Sequence, residues 1–275
     1  MNTNNYAELA ERARRIRINA LKAIHAAKSG HPGGSLSAAD IIATLYFEVL
    51  NIDPQEPDKA DRDKFIISKG HAVPALYAAL GERGFYDVDD MMTLRQVDSR
   101  FQGHPNMHKV PGIEMSTGSL GQGFSAAVGM AVAGKIDNNP GRVYVLAGDG
   151  ELQEGIVWEA AMQAAHRHLD NLVAIVDLNG LQIDGKVSDV KEVGPVDEKF
   201  KSFGWNVIVV DGHRYDELIR AFAEAKECKT APTAIIAHTH KGKSVSFMED
   251  NAGWHGKAPG DEELATAIEE LGGDN

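Results

Sequence analysis

The apolar residues of this chain fall into short continuous runs, separated by longer stretches with helical spacing. Runs that are apolar throughout are typical of strands buried on both faces of a parallel sheet. They predict five strands, at Lys64–Ser68, Arg142–Ala147, Leu172–Asp177, Asn206–Val210 and Thr233–His238. The stretches around them predict helices at Tyr6–Lys28, Ala38–Val49, Pro74–Glu82, Gln122–Ile136, Glu151–His168 and Tyr215–Glu227.

This alternation of strands and helices predicts the fold class. Successive strand–helix–strand units favour an α/β fold, with a doubly wound, mostly parallel sheet and helices on both faces. The charged, proline-marked stretch Asn51–Asp63 is a connector, and no linker is long enough to divide the chain. We therefore expect residues 1–275 to form a single domain, with Pro259–Asn275 adding a short capping helix.

Composition narrows the partners that this chain could have. With 28 Lys and Arg against 40 Asp and Glu, its formal charge is −12, which argues against nucleic acid or an anionic membrane. No apolar run approaches the roughly 18 residues of a spanning helix, and Met1–Tyr6 lacks the features of a secretory signal. The lone cysteine, Cys228, excludes an intramolecular disulfide. We expect a cytoplasmic protein.

The sharpest chemical feature is Gly148-Asp149-Gly150, which follows a predicted strand and precedes a predicted helix. In open α/β sheets, ligands bind beyond the carboxyl ends of the strands, and helix N-termini there favour phosphate. Asn179 follows the next strand, so Asp149 and Asn179 should lie at neighbouring strand ends. Together with a nearby carbonyl, phosphate oxygens and water, they could form an octahedral Mg²⁺ site. Alternatively, both are turn residues, which are common in such loops.

Six segments in one order carry a resemblance to a known family. The pair formed by Gly148–Gly150 and Asn179 looks like the thiamine-diphosphate motif. The full set is Ser29-Gly30-His31-Pro32-Gly33, Lys69-Gly70-His71, Gly103-His104-Pro105, Ser116-Thr117-Gly118-Ser119-Leu120-Gly121-Gln122-Gly123, Gly148-Asp149-Gly150-Glu151-Leu152-Gln153-Glu154-Gly155 and Trp254-His255-Gly256. With these segments the chain resembles transketolase, over the diphosphate-binding first half of that enzyme.

The resemblance implies a cofactor site with a metal ion. The Asp149 and Asn179 side chains and the Leu181 carbonyl would bind Mg²⁺, for which Ca²⁺ or Mn²⁺ could substitute. Gly150 would contact the diphosphate of thiamine diphosphate, and His71 would hydrogen-bond near it. Asn179 would thus contribute to both the metal and the cofactor.

The resemblance also implies residues for the reacting end of the cofactor. Gly118 and Leu120 would lie against the aminopyrimidine through backbone groups. His31, His104 and His255 would face the substrate and move protons, and His255 would also contact the cofactor. Cleaving a ketose requires a proton to be removed from one hydroxyl, which suits histidine. From the residues alone, His31 and His104 could merely be loop residues ahead of prolines.

Two departures from the family pattern and one neighbouring family bear on this interpretation. Leu178 precedes Asn179 where the family often has a second asparagine, and Ser119 replaces a usual proline. The related 1-deoxyxylulose-5-phosphate synthase shares the cofactor, but it tends to lack the proline that follows His31 here and the His104-Pro105 pair. The balance favours transketolase, which transfers a two-carbon ketol unit from a ketose phosphate to an aldose phosphate.

The resemblance covers only half of a full transketolase. Because 275 − 256 = 19 residues follow Gly256, we expect the pyrimidine-binding and C-terminal domains on a separate partner chain. Glu154 would lie at the subunit interface, and two such two-chain units would form a heterotetramer. An alternative is a non-catalytic cofactor-binding subunit. That role predicts loss of the histidines or of Asp149, and the sequence retains all of them.

Overall fold

The computed structural model describes residues 3–273, with side chains from residue 5 onward. Predictions that included residues 1–2 and 274–275 therefore extend outside the described part. The helices are α1 Thr3–Ala27, α2 Pro32–Thr44, α3 Val73–Arg83, α4 Gln122–Ile136, α5 Gly155–His166, α6 Val187–Val190, α7 Val196–Ser202, α8 Tyr215–Glu227 and α9 Asp261–Glu270. The strands are β1 Lys64–Ile67, β2 Val143–Gly148, β3 Leu172–Leu178, β4 Leu181–Gln182, β5 Gly185–Lys186, β6 Asn206–Asp211 and β7 Thr233–His238.

Five strands form one sheet in the order β1-β2-β3-β7-β6, and every neighbouring pair is parallel. The strands β4 and β5 form a separate antiparallel hairpin. This architecture confirms the predicted α/β fold with a parallel sheet. All five predicted strands are present, each within one residue of its predicted ends. The register places Gly148 of β2 opposite Asp177 of β3, so the loops that follow them start side by side.

Helices cover both faces of the sheet. The helices α1, α2, α3 and α8 bury one face, and α4, α5 and α7 bury the other. The central strand β3 explains the continuous apolar runs, because Ile175 packs into the first layer and Val176 into the second. A third, smaller cluster joins α1, α2 and α9 to the segment that contains Val245 and Trp254. It fixes the segment immediately before His255.

Several helix boundaries differ from the predictions. The helix α2 begins at Pro32 rather than Ala38, with the proline in its first turn, where a missing N–H costs nothing. The predicted end of that helix, Leu45–Val49, is a short π-helix. Residues 150–153 form a 3₁₀ turn, so α5 begins at Gly155 rather than Glu151. The helices α6 and α7 and the hairpin were not predicted.

The length and apolar content of the helices also bear on membrane insertion. Within residues 3–273, no helix is both long enough and apolar enough to cross a bilayer.

Candidate active site

A cavity of about 320 Å³ opens at the carboxyl edge of the sheet. The loops after β1, β2, β3 and β7 and the start of α2 surround it. All of the residues that the sequence nominated for the site line this cavity: His31, His71, His104, Gly118, Leu120, Asp149, Gly150, Glu154, Asn179, Leu181 and His255. Residues from seven separate segments therefore converge, although their individual roles stay predictions.

Four histidines form one cluster on a wall of the cavity. The ring centroid of His31 lies 5.1 Å from that of His71, 5.4 Å from that of His255 and 6.5 Å from that of His104. The rings of His71 and His255 are 5.0 Å apart. His31 immediately precedes α2, and His104 packs against Gly118, where a Cβ would lie 3.0 Å from the ring. Gly118 has a φ of +148°, which favours glycine.

Burial favours the neutral form of these histidines. It lowers the pKa of His31 to about 4, and the charge of Arg95 adds to the effect. Burial likewise lowers the pKa of His255 to about 3, with the Lys241 ammonium contributing. The pKa values of His71 and His104 are also lowered, mainly by burial. A neutral imidazole offers one donor and one acceptor, which suits it to binding hydroxyls and accepting a proton.

Asp149 and Asn179 lie at adjacent strand ends, as predicted. Asp149 Oδ1 accepts a hydrogen bond from the Gly150 N–H at 2.8 Å, and Oδ2 accepts one from the Gly180 N–H. Asn179 Oδ1 accepts from the Leu181 N–H at 3.1 Å. Burial, with repulsion from Asp177, raises the pKa of Asp149 to about 6. A nearby cation would stabilise the charged form of such a buried carboxylate.

Asp177 lies beneath this edge of the site and holds its residues in place. It was not predicted from the sequence. It is fully buried and forms an ion pair with Lys69, whose ammonium also donates to the Gly34 carbonyl at 2.9 Å. Its Oδ1 accepts from the Asn179 side-chain amide at 3.2 Å, which turns the amide oxygen the other way. Asp177 thereby orients the amide oxygen predicted to bind metal.

Lys241 is a further residue at the site; from the sequence, the Lys241-Gly242-Lys243 segment is typical of a weakly basic, solvated loop rather than of a phosphate contact. Lys241 is 3 % exposed, and its Nζ donates to the Leu181 carbonyl at 2.9 Å. Burial, with repulsion from Lys69, lowers its pKa to about 8. The ammonium therefore contacts the carbonyl predicted to bind metal and lines the same cavity. Its position three residues after β7 was the available signal, because β7 pairs with β3.

Comparison with known proteins identifies the family. A family profile described as "Transketolase, thiamine diphosphate binding domain" matches residues 9–275. This chain belongs to the transketolase family. It corresponds to the thiamine-diphosphate-binding N-terminal half, and the predicted resemblance is confirmed.

Two transketolase relatives have nearly the length of this chain. The 6-deoxy-6-sulfo-D-fructose transketolase subunit SqwG of Clostridium sp. (strain MSTE9) is 42% identical over 264 residues, which cover 96% of both chains. An apulose-4-phosphate transketolase subunit of Phocaeicola vulgatus is 41% identical, over 96% of this chain and 93% of its own length. Full-length human transketolase is 45% identical over 90% of this chain, and the match spans 40% of the human protein.

Solved transketolase structures share the fold. The enzyme from Leishmania mexicana superposes with a TM-score of 0.91 at 36% identity, covering 97% of this chain and 41% of its own. That from Campylobacter jejuni gives 0.92 at the same identity, covering 100% of this chain and 44% of its own. The parallel sheet and its flanking helices are therefore those of the transketolase N-terminal half.

Within this transketolase fold, the remaining predicted residues lie at the open side of the cavity. Glu154, the predicted interface residue, is exposed just before α5. The tip of the β4–β5 hairpin places Ile183 over the cavity with 68 % of its surface exposed. Ser119, which replaces the usual proline, is exposed, and Leu178 is half-buried. Neither departure adds a buried polar group to the site.

Proposed function

We propose that this chain is the N-terminal subunit of a two-chain, thiamine-diphosphate- and Mg²⁺-dependent transketolase. In this proposal residues 1–275 form one diphosphate-binding domain, and a partner chain supplies the pyrimidine-binding and C-terminal domains. The observation that carries the proposal is the convergence of the nominated residues on one cavity at the carboxyl edge of the sheet. The enzyme would transfer a two-carbon ketol unit from a ketose phosphate to an aldose phosphate.

The side chains at the cavity fit the cofactor and its metal. Asp149, Asn179 and the Leu181 carbonyl offer oxygen atoms only, which are the ligands that Mg²⁺ prefers. Each Asp149 oxygen accepts one hydrogen bond from the backbone, which leaves lone pairs free for a cation. Gly150 allows the backbone to approach a phosphate group, and a Cβ there would come within 3.2 Å of Gln182. Lys241 adds a cation within the same cavity.

The histidines fit a polyhydroxylated substrate. Within residues 3–273, the buried Nδ1 atoms of His31 and His255 have no hydrogen-bond partner, and such atoms are costly unless a ligand or water satisfies them. Thiamine diphosphate would supply the carbanion chemistry when bound. His31, His104 and His255 would hold the sugar hydroxyls and accept or return the proton of the hydroxyl beside the cleaved bond.

The names of two relatives and the exposure of Glu154 support a partner chain and a class of substrate. The Clostridium and Phocaeicola relatives are both named as subunits, and their names specify sugars with a sulfo group or a phosphate. We therefore propose a separate partner chain, a heterotetramer made of two two-chain units, and a sugar that carries an anionic group. Exposed Glu154 would lie at the contact between subunits.

The first test is ketol transfer from xylulose 5-phosphate to ribose 5-phosphate with thiamine diphosphate and Mg²⁺. We expect activity only when this chain is combined with the partner encoded by the adjacent reading frame. Full activity of this chain alone would contradict the two-chain proposal. A sulfonated donor, 6-deoxy-6-sulfofructose, should be assayed in parallel because the relatives differ in their named sugars.

Asp149→Ala separates a catalytic subunit from a scaffold. The substitution removes the charged ligand, so we expect at least about a 100-fold loss of Mg²⁺-dependent cofactor binding and an equal loss of activity. Calorimetric titration with the cofactor and metal measures the first quantity. Asp137→Ala, in an exposed turn after α4, is the matched control. An Asp149→Ala enzyme that retained cofactor binding and transfer would reject the metal assignment.

A further inference from the structure

One histidine outside the cavity links two elements that surround it. His213 lies in the loop between β6 and α8, and its side chain is 11 % exposed. Its Nδ1 lies 2.7 Å from Asp40 Oδ2 on α2, and its Nε2 lies 2.9 Å from the backbone nitrogen of His240, two residues after β7. The rings of His213 and His240 stack, with their centroids 5.8 Å apart. His213 therefore bridges α2 and the segment that leads to Lys241.

The partners of His213 determine which of its ring nitrogens carries the proton. A backbone N–H can only donate, so Nε2 accepts from the His240 N–H and the ring proton is on Nδ1. Nδ1 then donates to Asp40, whose carboxylate also accepts from Arg17 and from the Tyr215 hydroxyl. Burial alone would raise the pKa of Asp40, but the Arg17 guanidinium and these hydrogen bonds hold it well below its usual range. Each ring nitrogen of His213 thus has one defined partner.

Residues 240–242 each make a hydrogen bond through the backbone that fixes this segment. The Lys241 carbonyl accepts from the Asp250 N–H at 2.8 Å, and the next N–H along the chain donates to the Gly33 carbonyl at 3.0 Å. The first N–H of the segment donates to His213, and of these three contacts it is the one that depends on a side chain. A substitution of His213 can therefore release one end of the segment without removing the other two contacts.

The position of this segment determines where the Lys241 ammonium lies. The side chain is 3 % exposed, and its Nζ donates to the Leu181 carbonyl, which is predicted to bind metal. A buried ammonium is costly unless it is hydrogen-bonded or paired. Because a lysine side chain has many rotamers, keeping its ammonium at one point requires a fixed backbone. The contact of His213 with His240 thus acts on the cavity through Lys241.

We propose that His213 is a positioning residue of the cofactor site: it fixes the backbone at His240 and thereby holds the Lys241 ammonium at the metal and diphosphate end of the cavity. This inference rests on the proposed thiamine-diphosphate function. An ammonium that is already held in place loses little further freedom when an anion binds, whereas a mobile one has to be ordered first. Loss of the His213 contact should therefore weaken diphosphate binding without removing any group from the cavity.

Two substitutions separate the two contacts of His213. In His213→Asn, the side-chain amide takes the place of Nδ1 and still donates to Asp40, but the His240 N–H loses its acceptor. In His213→Gln, the amide oxygen reaches the position of Nε2 and accepts from His240, but the donor to Asp40 is lost. The matched control is His238→Asn, which replaces an exposed histidine at the end of β7.

The assembled two-chain enzyme is titrated with thiamine diphosphate and, separately, with inorganic pyrophosphate, both in the presence of Mg²⁺. We expect His213→Asn to weaken the binding of both ligands about 10-fold, with kcat at saturating cofactor close to that of the unsubstituted enzyme. Hydrogen–deuterium exchange at the His240 amide should become at least about 10-fold faster in this variant. His213→Gln should retain most of the affinity and of the protection, and His238→Asn should change neither.

A double-mutant cycle tests the route through Lys241. Lys241→Met removes the ammonium and keeps an unbranched apolar side chain in the buried position. If His213 acts through the ammonium, adding His213→Asn to Lys241→Met should cause no further loss of affinity for pyrophosphate. The same two titrations measure all four members of the cycle.

Three outcomes would overturn the inference. Additive losses in the double variant would mean that His213 acts by another route. A larger loss of affinity in His213→Gln than in His213→Asn would locate the effect at Asp40 and α2. Unchanged affinity in both variants, with lowered thermal unfolding temperatures, would make His213 a purely structural residue. If the unsubstituted enzyme bound neither ligand, the proposed function would be rejected instead, and exchange of the His240 amide would still show whether His213 fixes the segment.

Discussion

Burial lowers the pKa of His31, so the free energy of unfolding should depend on pH through this residue. The folded-state pKa is about 4, whereas a free histidine has a pKa near 6.5. Between these values the unfolded chain takes up a proton that the folded chain does not. The contribution of His31 to stability is therefore complete above about pH 6.5 and is lost as the pH falls to about 4.

We predict that His31→Gln flattens this pH dependence. Between pH 7 and pH 4, the free energy of unfolding should fall by about 1–2 kcal/mol less in the variant than in the unsubstituted chain. The difference is this small because the His31 ring is only partly buried. Urea unfolding across this range measures the difference. His166→Gln removes an exposed histidine of α5 and is the matched control. An unchanged slope in His31→Gln would show that folding does not lower the pKa of His31.

At the residue scale, the sequence correctly predicted the positions of site residues that directly follow a strand. Asp149 and Asn179 were placed together because neighbouring parallel strands end at one edge, and β2 and β3 do pair. Lys241 follows the same rule, but the basic, glycine-containing segment Lys241-Gly242-Lys243 is typical of a solvated loop. The burial of Lys241 depends on long-range packing, since its aliphatic carbons lie against Gly33 of α2. Such a contact between distant segments has no local signature.

At the scale of elements, the buried carboxylate of Glu151 joins the loops around the cavity. Its Oε1 accepts from Ser68 Oγ and from the Gly121 N–H, and its Oε2 accepts from the Gly148 N–H. Burial raises its pKa, while these donors favour the charged form. One side chain thus connects the ends of β1 and β2 with the start of α4.

We predict that Glu151→Gln lowers the free energy of unfolding by about 2–4 kcal/mol. A glutamine has one acceptor oxygen instead of two, so a buried N–H loses its partner and the new amide faces donors. Urea unfolding monitored by circular dichroism gives the value. Glu262→Gln, exposed in the first turn of α9, should change stability by less than about 0.5 kcal/mol. Similar values for both variants would show that Glu151 contributes no special stability.

The elements that sequence analysis missed were too short to show a period. The helix α7 buries only Val196 and Phe200, and each strand of the β4–β5 hairpin has two residues. The start of α2 at Pro32 was not predicted, because two consecutive glycines, Gly33 and Gly34, are typical of a turn. In the structure, a side chain at Gly33 would come within 3.0 Å of the Trp254 carbonyl, so close packing accounts for that glycine.

At the scale of the molecule, α4 and α5, of which α5 begins directly after Glu154, carry apolar side chains that are exposed to solvent. Ile136 is 74 % exposed and Met162 is 55 % exposed. We predict that Met162→Glu weakens association with the proposed partner chain at least about 10-fold, because a charge in a desolvated contact is costly. Analytical ultracentrifugation of the two mixed chains measures the strength of association. The thermal unfolding of the Met162→Glu chain alone should be unchanged.

Val209→Glu, on the edge strand β6, introduces the same charge at another exposed apolar residue. It should leave association intact. If Met162→Glu associated as tightly as the unsubstituted chain, the partner would have to dock elsewhere.

The strand order also has a consequence for synthesis of the chain. The strands β1, β2 and β3 can pair as they leave the ribosome, because each neighbours the one before it. In contrast, β6 pairs only with β7, and β7 also pairs with β3. Until residue 238 has emerged, β3 therefore presents an open parallel edge and β6 has no neighbour. Open edges of this kind promote aggregation, so the interval before β7 inserts is the time at which the nascent chain most needs a chaperone.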